Sequence, residues 1–173
     1  MPPTNGVRPT TDRVKESIFN IIMNLKSFNE ACVLDLYAGS GSLGFESLSR
    51  GAARVVFVDK SPVCIRTLKE NIATLHGEDS CSLVKHAAAS YLMRTEDVFD
   101  FIFIDPPYAS REYESLTSII LERHLLAPDG LMFVKFSSKV DLHLSEEWRE
   151  VTKRVFGETT FSFHAQSSSG VFS

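Results

Sequence analysis

No apolar run in the 173-residue sequence approaches the length of a membrane span, and no signal-peptide pattern opens it. Neither a membrane protein nor an exported one is expected, and the cytoplasm is the expected location. Cysteine is scarce, with Cys32, Cys64 and Cys81 odd in number and without a C-x-x-C spacing. Cys32 and Cys81 stand at the start of apolar runs, so buried thiols are expected in place of disulfides or thiolate ligands. The five histidines (His76, His86, His124, His143, His164) form no metal-ligand spacing, and no metal is expected. Positive charge is also in deficit, with 18 Lys and Arg against 22 Asp and Glu and a net charge of −4. That balance argues against a strongly electrostatic nucleic-acid binder and leaves room for one basic face.

What remains is a chain of single-domain size in which 43% of residues are hydrophobic, enough for a core. One domain over 1–173 is expected, with 1–9 Pro-rich and irregular and 167–173 a flexible serine-rich tail. Arg8, Arg13 and Lys15 cluster before a helical pattern of Val14, Ile18, Ile21, Ile22 and Leu25, with Thr10, Thr11 or Asp12 as cap. The basic cluster reads equally as the solvated first turn of that helix.

Apolar runs then alternate with helical patterns. Val33–Leu36 and Val55–Asp59 read as strands, and Pro62 opens a helix carrying Ile65, Leu68, Ile72 and Leu75 inward. Ser80–Val84 reads as a third strand, followed by an alanine-rich turn and a helix around Tyr91 and Leu92. Asp100–Ile104 is a fourth strand, with a helix through Ile119–Leu121 after it. Pro128-Asp129-Gly130 reads as a turn before a fifth strand, Leu131–Phe136. Val151–Phe156 and Thr159–His164 alternate around Gly157-Glu158 as a hairpin. Five strands separated by helices, then a terminal pair, specify an α/β fold with a mostly parallel sheet and an antiparallel edge.

Two stretches carry chemistry. Val33 to Gly44 runs from a short strand through Gly39, Gly41 and Gly44 into a helix, which satisfies G-x-G-x-x-G. Such a turn can bind a ligand at the strand's carboxyl end or can simply pack a helix closely on a strand. Two acids favour the ligand. Asp35 lies inside an apolar strand, where an unpaired carboxylate is costly. Asp59 ends the next strand 20 residues after Gly39, placed to accept hydrogen bonds from ribose hydroxyls. The set describes a nucleoside-cofactor site without naming the cofactor.

Asp105-Pro106-Pro107-Tyr108 follows the apolar strand Phe101–Ile104 and therefore stands on the same rim. It can be a turn that stops a strand. It can also be a device for methylating an exocyclic base amine, whose lone pair is delocalised into the ring. The Asp105 carboxylate and a backbone carbonyl, that of Pro106, could accept both N–H bonds and favour a pyramidal nitrogen. Prolines hold that carbonyl in place, and Tyr108 offers a face for a flipped-out base.

Asp35-Leu-Tyr-Ala-Gly-Ser-Gly resembles the S-adenosylmethionine loop of Rossmann-like methyltransferases, and Asp105-Pro-Pro-Tyr resembles the amino-methyltransferase motif. Arg8-Pro-Thr-Thr-Asp-Arg-Val-Lys-Glu16 and Leu48-Ser-Arg-Gly-Ala52 narrow the likeness to the bacterial 16S rRNA guanine-N2 methyltransferases, the RsmD-like family. The resemblance covers nearly the whole chain, through Phe156-Gly-Glu-Thr-Thr160.

It implies a class I methyltransferase fold with a seven-stranded sheet and helices on both faces. It also implies S-adenosylmethionine held by Asp35, Ala38, Gly39, Ser40, Gly41, Gly44, Asp59 and Ala88. Catalysis would fall to Asp105, Pro106, Pro107 and Tyr108, and substrate contacts to Arg8, Thr10, Arg13 and Tyr108. The implied partner is 16S rRNA within a small-subunit particle, and the implied enzyme is a monomer. The sequence departs from the family's pattern in a short basic N-terminal segment, in Ala87 where an acid or Asn is usual, and in Lys135 where an acid is common. An amino methyltransferase acting on adenine or cytosine would use the same tetrapeptide. A nicotinamide-dependent oxidoreductase would leave Asp35 and the tetrapeptide without roles, and an inactive RNA-binding assembly factor would leave the tetrapeptide idle.

Overall fold

The computed structural model describes residues 12–107 and 112–170; Arg8, Thr10 and Tyr108, and the segment 1–9, lie outside the described residues. Seven strands form one sheet: β1 (Cys32–Leu36), β2 (Arg54–Asp59), β3 (Cys81–Lys85), β4 (Phe99–Ile104), β5 (Leu126–Ser137), β6 (Trp148–Phe156) and β7 (Thr159–Gln166). Their spatial order is β3-β2-β1-β4-β5-β7-β6. The first five are parallel, and β7 enters between β5 and β6 antiparallel to both. This is the Rossmann-like methyltransferase architecture.

The layers follow from the pleat. Leu34, Leu36, Val56, Val58, Ile102 and Ile104 face one side, where helices α4 (Ala88–Leu92) and α5 (Tyr113–Glu122) cover them. Val33, Val55, Phe57, Phe101 and Phe103 face the other, under α1 (Asp12–Leu25), α2 (Ser42–Ser49) and α3 (Pro62–Thr74). With both faces buried, the central strands β1 and β4 are apolar at nearly every position, Asp35 in β1 and Asp100 in β4 being the exceptions. Aromatic rings fill the α1 side: Phe28 stacks on Phe101 at 4.3 Å between centroids, and Phe103 meets Phe133 edge-on at 5.4 Å.

The expected turn at Pro128-Asp129-Gly130 is not a strand boundary. β5 begins at Leu126 and carries those residues as an irregularity, since Phe99 pairs with Leu126 but Phe101 with Leu131. A bulge lets the chain make a turn-like excursion without leaving the ladder, and Lys26 at the end of α1 binds Asp129 there at 2.7 Å. The hairpin is longer than the alternation alone marks, reaching Trp148 and Gln166. Beyond it, Ser167 is tied by its N–H and its hydroxyl to the carbonyls of Glu147 and Glu146.

The order of strands reverses between β1 and β4, so the connections leaving these two neighbours diverge to opposite faces. A crevice opens at their carboxyl ends, which is where open α/β sheets bind ligands.

Candidate active site

The turn after β1 is built around conformations that side chains resist. Gly41 has φ 85, and a Cβ there would stand 2.5 Å from Phe45 and 2.7 Å from Leu68. Its N–H donates to the Ala38 carbonyl at 2.7 Å, which closes the turn. Ala38 is anchored in turn, its N–H donating to Val58 O at 3.1 Å, and the Ser40 carbonyl accepts from the Asn71 side-chain amide. Gly44 has a different task. It packs α2 on β2, and an added Cβ would fall 2.2 Å from the Phe57 ring. Of the three glycines, Gly44 serves close helix–strand packing.

Asp35 is 1% exposed and accepts the Gly44 N–H at 3.0 Å. Its carboxyl ties the first turn of α2 to β1 and does not line the crevice. Burial pushes it well above the usual carboxylate range; the Gly44 N–H opposes that, while Asp105 and Asp59 add to it.

Asp59, at the end of β2, is anchored from two sides. One carboxylate oxygen accepts the Gly39 N–H at 2.9 Å and the other accepts the Ser61 N–H at 2.8 Å. Each oxygen keeps a further lone pair for a hydroxyl donor. Beside it lies a small crevice lined by Tyr37, Val58, Asp59, Lys60, His86, Ala87, Ala88 and Glu112. Glu112 accepts a hydrogen bond from the Tyr37 hydroxyl at 2.7 Å, which ties the start of α5 to the loop after β1. Val58, Ala87 and Ala88 give the crevice an apolar wall, and Asp59, Lys60, His86 and Glu112 a polar one.

Asp105 follows β4 at the same rim, and about a quarter of its side chain (26%) reaches solvent. Lys135 Nζ lies 3.0 Å from one of its oxygens and 3.1 Å from the other. The sheet dictates this pairing. Phe103 and Phe133 are register partners on adjacent strands, and two residues further along each strand the pleat returns to the same face, at Asp105 and Lys135. Burial pushes the Asp105 carboxyl up, and the charge and hydrogen bond of Lys135 pull it back. The Lys135 carbonyl accepts from the Tyr113 hydroxyl at 3.1 Å, so the lysine is held at backbone and head group alike.

Arg13 is exposed in the first turn of α1. Lys26, at the other end of the helix region, pairs with Asp100 near the start of β4.

The structure thus gathers Ala38, Gly39, Ser40, Gly41, Asp59, Ala88, Asp105, Pro106 and Pro107 at the carboxyl ends of adjacent strands. It sets Asp35 and Gly44 one layer beneath them. Sequence reasoning passed over Tyr37, Glu112, Tyr113, His86 and the partnership of Lys135. The lysine could have been found, since one charge inside Leu-Met-Phe-Val-Lys-Phe demands a buried partner. The other contacts have no sequence signal. Among the described residues no cluster of His, Cys, Asp and Glu could hold a metal, and no helix is long and apolar enough to cross a membrane.

Comparison with known proteins gives the family of the chain. Ribosomal RNA small subunit methyltransferase D of Haemophilus influenzae is 32% identical over 164 residues, covering 93% of this chain and 84% of its own. The protein of the same name from Escherichia coli is 29% identical over 171 residues, covering 98% and 85%. Among solved structures, the yhhF protein of Escherichia coli superposes with a TM-score of 0.83 at 27% identity, covering 92% of this chain and 88% of that one. A conserved hypothetical protein of Streptococcus pyogenes also reaches 0.83, at 26% identity, with 90% and 97% covered. The family described as Conserved hypothetical protein 95 matches residues 1–165. The chain belongs to that family, among the relatives of ribosomal RNA small subunit methyltransferase D.

Proposed function

We propose that this protein uses S-adenosylmethionine to methylate the exocyclic N2 amino group of a guanine in small-subunit (16S) ribosomal RNA. The observation that carries the reading is the shared rim: a crevice beside the anchored Asp59, the glycine turn, and Asp105-Pro106-Pro107, all at the ends of β2, β1 and β4. The relatives' names supply the RNA class, and the tetrapeptide supplies the amino group as target.

Asp59 would hold the ribose hydroxyls, Ala87 and Ala88 would flank the adenine, and the Gly39–Gly41 turn would receive the methionine end. Asp35 would act through α2 by fixing that turn. When bound, S-adenosylmethionine supplies a methyl group on a positively charged sulfur, ready to accept the amine's electron pair. Asp105 would accept one N–H of the amine and the Pro106 carbonyl the other, turning the lone pair out of the ring. Positioning and preorganised acceptors then supply the rate, with no covalent enzyme intermediate. Tyr108 would stack on the flipped base, while Arg8, Thr10 and Arg13 would meet RNA at the rim.

A monomer with net charge −4 makes few phosphate contacts by itself, so the substrate would be an assembled small-subunit particle in the cytoplasm. The test is methyl transfer from labelled S-adenosylmethionine to small-subunit particles isolated from cells lacking the gene, followed by mass mapping of the modified base. A single N2-methylguanine, formed faster on particles than on protein-free RNA, is the expected result. A methylated adenine or cytosine would refute the base assignment.

A further inference from the structure

Lys135 stands outside every role assigned above, yet it makes a close ion pair with Asp105 at the rim. Its ammonium is nearly equidistant from the two carboxylate oxygens, at 3.0 and 3.1 Å. A cation so placed sits astride the carboxylate's edge and resists rotation of the carboxylate plane. Each oxygen retains a second lone pair directed elsewhere. Lys135 is itself 7% exposed and held by the Tyr113 hydroxyl on its carbonyl, with Phe133 and Phe161 along the strands beside it. It has little freedom to leave Asp105.

We infer that Lys135 is the positioning residue of the transfer centre: it fixes the plane of the Asp105 carboxylate and keeps it anionic, so that Asp105 receives the amine as a hydrogen-bond acceptor. The inference rests on the methyltransferase reading of the rim and adds to it a residue that acts through Asp105. Among the described residues, Lys135 is what opposes the burial of the Asp105 charge. Burial disfavours that charge, and from β1 Asp105 confronts Asp35, with Asp59 beyond on β2. From α5, Tyr113 gives its hydroxyl to the Lys135 carbonyl. Lys135 on β5 offsets these influences by its charge and its hydrogen bond. A protonated Asp105 would present a donor to an amine that needs an acceptor.

The sign follows from that arrangement. Loss of the lysine charge moves Asp105 titration to higher pH, and activity on the acid side falls with the anionic fraction.

Lys135→Gln keeps a donor and much of the length but not the charge; Lys135→Met keeps the volume alone; Lys135→Arg keeps the charge. Asp105 is followed by ¹³C NMR of labelled aspartate carboxyls, its resonance identified by its absence in Asp105→Asn. In parallel, single-turnover methyl transfer to small-subunit particles is measured against pH, and S-adenosylhomocysteine binding by calorimetry. In Gln and Met variants the Asp105 midpoint should rise by about one pH unit or more. The acid limb of the rate profile should rise with it, about tenfold slower at a given pH on that limb. S-adenosylhomocysteine affinity should hold, and Lys135→Arg should keep the wild-type limb. An unmoved midpoint in either folded neutral variant overturns the inference. If neither folds, the Arg variant decides alone, and an upward shift there overturns it. The NMR arm needs no RNA. A wrong substrate assignment would abolish transfer in the wild type and leave the titration result standing.

Discussion

Gly44→Ala probes the link between packing and cofactor capture most directly. The added Cβ would lie 2.2 and 2.7 Å from two carbons of the Phe57 ring and 2.8 Å from Val55 Cγ1, against ordinary contact of 3.4–4 Å. Phe57 cannot yield easily. It is fully buried on a central strand and packs against Phe45 at 4.8 Å between ring centroids. Two effects oppose. Alanine is the better helix former by about 1 kcal/mol, while forcing volume into a packed core costs about 1–3 kcal/mol, occasionally more. A clash with three core carbons belongs at the upper end, so a net loss of about 2 kcal/mol is expected. For a domain of this size that lowers Tm by roughly 4–8 °C.

Relief would come mainly from α2 lifting off β2, which stretches the 3.0 Å bond from Gly44 N–H to Asp35 and moves the turn at Gly41. S-adenosylhomocysteine affinity should therefore fall along with stability. Calorimetric melting and ligand titration measure the two effects, and a Phe57→Leu background should restore part of both, because the neighbouring sites are coupled. A Gly44→Ala protein that melts at or above the wild-type temperature would show that α2 has room and that the argument from close packing is wrong.

Asp59→Ala removes the acceptor for the Gly39 and Ser61 N–H groups and for the ribose; losing a charge-assisted hydrogen bond worth about 1.5–3 kcal/mol should weaken S-adenosylhomocysteine binding by about 10- to 100-fold in calorimetry. Tight binding of a nicotinamide dinucleotide by the wild type would contradict the cofactor assignment. Asp105→Asn exchanges an acceptor oxygen for a donor and should lower single-turnover transfer by about 10² or more with cofactor affinity unchanged; near wild-type transfer would reduce the tetrapeptide to a turn. His164 is buried beside Ser162, and burial, helped by Lys153, brings its pKa down to about 4. A neutral folded histidine gives stability that is complete above the unfolded value near 6.5 and is lost as pH falls toward about 4, up to about 3 kcal/mol. Urea midpoints of wild type and His164→Gln across pH 4–7 should show the steeper decline in the wild type, and parallel curves would refute it.

The sequence determined much of the molecule because its signals are local. Gly39, Gly41 and Gly44 announce a strand–turn–helix; the apolar runs ending at Val58 and Ile104, and the one ending at Leu36 around Asp35, announce strands buried on both faces. Asp59 and Asp105 are legible because a carboxylate at the end of such a run stands at the binding rim of a parallel sheet.

Other features were decided only by the tertiary structure. Leu131–Phe136 looked like a strand preceded by a turn, yet the ladder with β4 captures the chain from Leu126 onward through a bulge. Asp35 and Gly44 belong to the same motif as Gly39, but helix packing turns them from the crevice toward each other. The pairing of Asp105 with Lys135 joins residues 30 positions apart. No periodicity within either strand fixes which strands are neighbours. Strand order and register do, and they are settled by the burial of both faces at once, an interaction among all the layers that no single stretch of sequence contains.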